Sequence, residues 1–259
     1  MRILAALGLM LLAGCAGVQS QTSEIIANPK VQDNPMSIEL KDIPELDGPV
    51  ITIGVYSFTD KTGQRAPSDN FSSLSSAVTQ GAEVWVIDAL LSAGDGSWFE
   101  VVERASMDNV IRERQLIRQT RENYEAGSID LSPMKFAGLI LEGGIVGYDS
   151  NVTTGGAGAR YFGIGATTEY RVDTVTVGMR LVSVSTGRVL MSVATEKTIA
   201  SHRTGADVFK FLDMGTKALE IETGYSVNEP VNYAVRAAIE AGVIELIYEG
   251  ERKSLWSFK

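Results

Sequence analysis

The chain has 259 residues, of which 44% are hydrophobic and 21% charged, with 23 Lys and Arg against 32 Asp and Glu, one Cys and one His. One cysteine excludes a disulfide framework, and one Cys with one His excludes a zinc site built from those ligands. A formal net charge of −9 argues against a nucleic-acid partner, which needs clustered Lys and Arg, while the apolar fraction is enough for a substantial core.

The amino terminus reads as a targeting segment. Met1-Arg2 is a short positive start, Ile3 to Leu12 is apolar apart from Gly8, and Ala13-Gly14 precede Cys15. That run is too short to span a bilayer as a helix and has the layout of a secretory signal. Leu12-Ala13-Gly14-Cys15 resembles a bacterial lipobox, which makes residues 1–14 a cleaved signal and Cys15 the lipidated residue of an outer-membrane lipoprotein; Ala16, where a retention signal would place Asp, fits that destination. Residues 15–49 are polar and carry Pro29, Pro35, Pro44 and Pro49, so they read as an extended tether from lipid to body.

From residue 50 the pattern is α/β. Val50 to Tyr56 has strand composition, and Val78, Ala82, Trp85, Val86 and Ala89 share a helical face. Residues 99–103 make a short strand, and a helix follows from about Ala105 to Thr120 with Met107, Val110 and Ile111 inward. Leu139 to Val146 reads as a buried strand. Asn228-Glu229-Pro230 opens a heavily apolar helix from Val231 to Tyr248.

Between these elements lie two segments of period two. Val146, Tyr148, Ser150, Val152 and Thr154 alternate with Gly147, Asp149, Asn151 and Thr153, and Gly155 to Gly158 can turn the chain. Phe162, Ile164, Ala166, Thr168, Tyr170 and Val172 then point one way, with Glu169, Arg171 and Asp173 on the other side. After Asp173 the apolar phase flips to Val175, Val177, Met179 and Leu181, which calls for a bulge or a change of surroundings. A second segment, about 194–225, follows the turn at Thr186-Gly187. Two hairpins at about 147–173 and 194–225 match transmembrane β-strands, and a solvated antiparallel sheet packed on the domain matches the same periodicity. In a membrane, four strands from one chain leave open edges, which lipid forbids, so insertion requires a ring of copies.

Enzymatic motifs are weak. Asp60-Lys61-Thr62-Gly63 follows a strand as in phosphorylated ATPases but continues with Gln64. Lys61-Thr62-Gly63, Ser68-Asp69-Asn70 and Ser132-Pro133-Met134-Lys135 are the three motifs of penicillin-binding proteins, in reversed order and with the first two too close together. Gly163-Ile164-Gly165 lacks the third glycine of a dinucleotide loop, and no Gly-Lys-Ser/Thr is present. No enzyme activity and no cofactor beyond the lipid on Cys15 is expected, and His202 reads as a lumen or interface side chain.

Several blocks resemble a known family. Asp60 with Thr62-Gly63-Gln64, Asn70-Phe71-Ser72, Trp98-Phe99, Glu142-Gly143, Ile145 to Tyr148, Ser150-Asn151-Val152, Gly158 to Ala166, Val184 to Gly187, Gly224-Tyr225 and Asn228 to Val231 are similar to the curli production assembly/transport component CsgG family, from the lipobox to Trp256. The resemblance implies an α/β periplasmic domain with two projecting β-hairpins that join an oligomeric transmembrane β-barrel. If that barrel has the roughly 36 strands of the largest known, four per chain give about nine subunits. It further implies export of unfolded curli subunits without nucleotide, periplasmic and extracellular accessory proteins, and a constriction at Asn70 and Phe71. The family's constriction tyrosine has no counterpart in Arg65 to Asp69. Glu169, Arg171, Glu220 and Glu222 would face the lumen, since charge on the lipid face is destabilising; a solvated sheet face accounts for them equally. The competing reading is a periplasmic lipoprotein that binds partners through its α/β domain without forming a pore.

Overall fold

The computed structural model describes residues 34–65, 76–124, 131–155, 168–204, 209–214, 223–225 and 230–259; at 152–155, 168–170, 201–204, 209–214, 223–225 and 230 the description is of the backbone. The elements run in the order α1 (Pro35–Lys41), β1 (Ile51–Asp60), α2 (Ala82–Ser92), β2 (Phe99–Glu103), α3 (Met107–Tyr124), β3 (Leu139–Gly155), β4 (Thr168–Ser183), β5 (Val189–Thr204), β6 (Phe209–Met214), β7 (Thr223–Tyr225) and α4 (Pro230–Arg252). They build one seven-stranded mixed sheet ordered β2-β1-β3-β4-β5-β6-β7, so the expectation of an α/β domain is met.

The two halves of the sheet differ in direction. β1 lies parallel to both β2 and β3, whereas the ladders from β3 to β7 are antiparallel. Parallel neighbours need a crossover, which α2 and the segment carrying α3 supply. Antiparallel neighbours need only turns: Gly187, at φ 67°, takes the left-handed position of the turn that closes β4 onto β5, and its amide donates to the Ser183 carbonyl at 2.8 Å.

One face of the sheet is covered by helices. Ile53, Val55 and Phe58 of β1, Leu141 and Ile145 of β3, Val175, Val177, Met179 and Leu181 of β4 and Met191 of β5 are buried together with Val86 and Leu90 of α2 and Ala234, Val235, Ala238, Ile239, Val243 and Ile247 of α4. In α4 the small residues Ala234, Ala238 and Gly242 recur every fourth position, so they share a helix face and let the backbone approach the sheet. A Cβ at Gly242 would stand 2.5 Å from the terminal methyl of Met179, and the Thr195 hydroxyl donates to the Ala238 carbonyl at 2.7 Å.

The folded body begins earlier than its sequence suggests. Residues 34–49 are folded rather than extended: Asn34 accepts from the Met36 and Ser37 amides at 2.8 and 3.2 Å, Pro35 occupies the first turn, and Leu40, Ile43 and Leu46 are buried. The carboxy terminus clasps the same segment. Leu46 bridges to Phe258, and the fully buried Trp98 donates to the Pro44 carbonyl at 2.8 Å while packing edge-on against Trp256 and Phe258.

α3 also departs from expectation. The periodicity puts Met107, Val110 and Ile111 inward, yet Met107 and Val110 are half-buried, Ile111 is exposed, and the helix has no buried residue. Its side chains meet a loop: Arg114 donates to the Ser132 carbonyl at 2.7 Å.

Packing is tight where β3 meets β4. A Cβ at Gly143 would collide with the Gly178 carbonyl oxygen and the Phe58 ring. Gly143→Ala should therefore cost about 1–3 kcal/mol, read as a lower thermal unfolding midpoint of the purified chain; an unchanged midpoint would show that the ladder can open at no cost.

Candidate functional site

Two described places bear on the residues singled out in the sequence: the neck of the loop after β1 and the outer ends of the long strands. Asn70 and Phe71 lie outside the described residues, but the neck of their loop is in view. Lys61 donates its amide to the Ile145 carbonyl at 2.9 Å, the Ala77 amide donates to the Gln64 carbonyl at 2.9 Å, and Arg65 and Ser76 form an antiparallel bridge. Residues 66–75 thus leave and rejoin the body at one closed point.

Asp60 organises that neck. Its Oδ1 accepts from the Thr62 hydroxyl at 2.6 Å and the Thr62 amide at 2.8 Å, and its Oδ2 accepts from Gln80 at 3.1 Å. Partial burial opposes ionisation, but the bonds from Thr62 and Gln80 outweigh it and hold the carboxyl below the ordinary aspartate value. Gly63 follows at φ 66°, with open space where a Cβ would be.

At the far end, the strands keep pairing past the helix-covered core. β3 and β4 remain in register out to Gly155 opposite Thr168, and β5 pairs with β6 from Thr198 opposite Met214 to Arg203 opposite Phe209. The last buried positions among the described side chains are Tyr148 on β3, Asp173 on β4 and Ile199 on β5. The phase flip read at Asp173 therefore has two parts. β4 itself is unbroken against β3 there, and the slip lies in β3, where Val146 bulges between the Ile145–Val177 and Gly147–Thr176 pairs. The odd-numbered face of β4 is buried from Leu181 to Asp173, and Arg171 begins the less covered stretch.

Arg171 and Asp173 share a face, as their spacing requires, and they touch. Arg171 Nε donates to Asp173 Oδ1 at 3.0 Å and to Ser150 Oγ at 3.1 Å. Tyr148 donates its hydroxyl hydrogen to the same Oδ1 at 2.9 Å and accepts from Arg171 Nη2 at 2.9 Å. Asp173 has no exposure at all, and its Oδ2 is buried without a partner. The spacing alone gave no sign of this network, although a charged residue in phase with Val175, Val177 and Met179 was the available signal.

The other expected site residues are placed as follows. Glu169 lies in β4, paired in the ladder with Thr154 and Arg203, with its side chain outside the description; His202 of β5 pairs with Tyr170 and Lys210 in the same way. Cys15, Glu220 and Glu222 lie outside the described residues. Among the enzymatic motifs, Asp60 is engaged by Thr62 and Gln80, and Lys135 is paired with Glu100. No group of three or more metal-ligating residues occurs among the described residues.

Fold and site together define a mixed α/β body that carries long antiparallel strand pairs and a closed-neck loop. The family model for the curli production assembly/transport component CsgG matches residues 18–259. Proteins of that description from Escherichia coli strain K12 and from Salmonella typhimurium strain LT2 are each 40% identical over 265 residues, covering all of this chain and 91% of the relative. The chain belongs to the CsgG family, a family of transport components. Among solved structures, a PelC dodecamer from Paraburkholderia phytofirmans aligns at 15% identity with a TM-score of 0.32, covering 77% of this chain and 90% of that one. Lipoprotein GNA1162 from Neisseria meningitidis aligns at 14% identity with the same score, covering 77% and 99%.

A depressed carboxyl contributes stability above its unfolded value of about 3.9, and the contribution is lost as pH falls through the folded value. Protection of the Thr62 amide should accordingly fall below about pH 4 in the wild type. Asp60→Asn should lower that protection at neutral pH and remove its acid dependence, as read by native-state hydrogen exchange. Equal protection in both proteins at all pH values would free Asp60 from the role.

Proposed function

We propose that this chain is a lipid-anchored outer-membrane channel that exports unfolded curli-type subunits. The observation that carries the reading is the β3–β4 ladder, which runs past the last buried rows to Gly155 and Thr168 in a member of a transport-component family. Strands that alternate in polarity and continue beyond their own core need cover on one face, and a bilayer supplies it to an apolar face. The two hairpins read in the sequence give four strands per chain, which close only with those of other copies, so the active form is a ring, of about nine subunits if the barrel reaches the roughly 36 strands of the largest known.

In this reading residues 1–14 are the cleaved signal and Cys15 carries the lipid. The α/β body sits in the periplasm, and the hairpins at about 147–173 and 194–225 form the barrel wall. Glu169, Arg171, Glu220 and Glu222 belong on the lumen side, Arg171 at its base. Asn70 and Phe71 line a constriction at which an extended polypeptide passes an apolar belt and a ring of uncharged amides. The neck closed by Asp60, Gln64 and Ala77 supports this, because a ring of loops narrows a conduit only if each loop leaves its body at a fixed point. Transport is diffusive and involves no nucleotide, and the partners are the exported subunits with periplasmic and extracellular accessory proteins.

The test is a planar-bilayer recording of the full-length lipidated chain. Detergent-resistant oligomers with discrete single-channel steps are expected, and Phe71→Ala should raise the conductance or alter export of a curli-type subunit. A monomer without conductance would overturn the channel in favour of a soluble partner-binding lipoprotein. Normal steps with Phe71→Ala unchanged in both readouts would remove the constriction from this loop.

A further inference from the structure

The Tyr148, Ser150, Arg171 and Asp173 network stands at the row where the helix-covered core ends, and it ties three successive rows of two strands. Tyr148 is opposite Val175, Ser150 opposite Asp173 and Val152 opposite Arg171, so the Tyr148–Asp173 and Ser150–Arg171 bonds are both diagonal. Diagonal neighbours in an antiparallel pair are about 7–8 Å apart, within reach of an aromatic or a long side chain. Arg171 also folds back two residues along its own strand to Asp173. Its guanidinium therefore points toward the body, away from the strands' outer ends.

The network holds a charge that burial disfavours. Asp173 is fully buried, two donors share its Oδ1, and Oδ2 has none. Removing the cation that faces a buried carboxylate leaves an uncompensated buried charge. Arg171 is that cation on the outer side, with its side chain 28% exposed. Lys197, opposite Val175, is buried one row inward. The bulge at Val146 lies just inside the network, so β3 bends immediately before the point that the network secures.

We propose that Tyr148, Arg171 and Asp173 form a clasp that fixes the direction in which β3 and β4 leave the body, and that they are positioning residues for the barrel wall. Asp173 is the anchor set in the core, Arg171 is the outer residue pinned onto it, and the Tyr148 hydroxyl carries the link to β3. The consequence for transport rests on the channel reading; the clasp itself does not. With the exit direction fixed in every copy, neighbouring hairpins meet in register. With it free, each pair swings about the row of Asp173.

Hydrogen exchange on the full-length lipidated protein in detergent tests the clasp, and bilayer recordings of the same preparations test its effect on the pore. Arg171→Gln should accelerate exchange at least tenfold for amides of 148–152 and 171–174, with amides of β1 and the middle of α4 unchanged. Asp173→Asn added to Arg171→Gln removes the orphaned charge and should restore protection to within about threefold of the wild type. Tyr148→Phe should give a smaller local acceleration. In recordings, Arg171→Gln should add open-channel noise or sub-levels that the double variant suppresses. Unchanged exchange in Arg171→Gln would overturn the proposal, as would acceleration spread evenly over the body or a double variant no better than the single one. A wild type without current would sink the channel reading, while the exchange data still decide the clasp.

Discussion

The close approach of α4 to β4 and β5 is the constraint on which the rest of the architecture depends. Small residues at Ala234, Ala238 and Gly242 let the helix lie near enough for Met179 to fill the space beside Gly242 and for Thr195 to reach the Ala238 carbonyl. Burial of the odd-numbered face of β4 follows from that contact. It ends at Asp173, where the clasp replaces apolar packing with hydrogen bonds.

The mixed sheet separates two tasks. Its parallel part, β2-β1-β3, carries crossovers and places the neck of the 66–75 loop at the end of β1, beside Ile145. Its antiparallel part needs no crossover helices, so β3, β4 and β5 can lengthen outward without dragging helices with them. β3 belongs to both parts, and the bulge at Val146 lies where it passes from one to the other. Loop neck and outgoing strands are thus referred to a single strand.

Much of this was legible in the sequence, and the failures have physical causes. Phe99 to Glu103, the Thr186-Gly187 turn and the terminal helix each declare themselves by local chemistry. The folding of residues 34–49 is obscured because Pro35 and Pro44 in a polar segment suggest an extended chain. In fact Pro35 follows an Asn cap, where its fixed φ favours a helix. The α3 face misled because its apolar residues are half-covered or exposed within this chain. At the candidate site, the shared face of Arg171 and Asp173 followed from period two, but the part played by Tyr148 required the β3–β4 register, which the bulge shifts by one residue. Cys15, Asn70, Phe71, Glu220 and Glu222 lie outside the described residues.

Asn34 does more than cap a helix. While its Oδ1 caps α1, its Nδ2 donates to the buried Glu240 of α4 at 2.7 Å, and Ser37 donates to the other Glu240 oxygen at 2.9 Å, with Arg236 closing the group. A pull on the chain upstream of residue 34 is therefore delivered to the middle of α4. Because both bonds end on one carboxylate, they are loaded together. Mechanically, the first residues of the folded body are moored to the same helix against which the clasped strands pack.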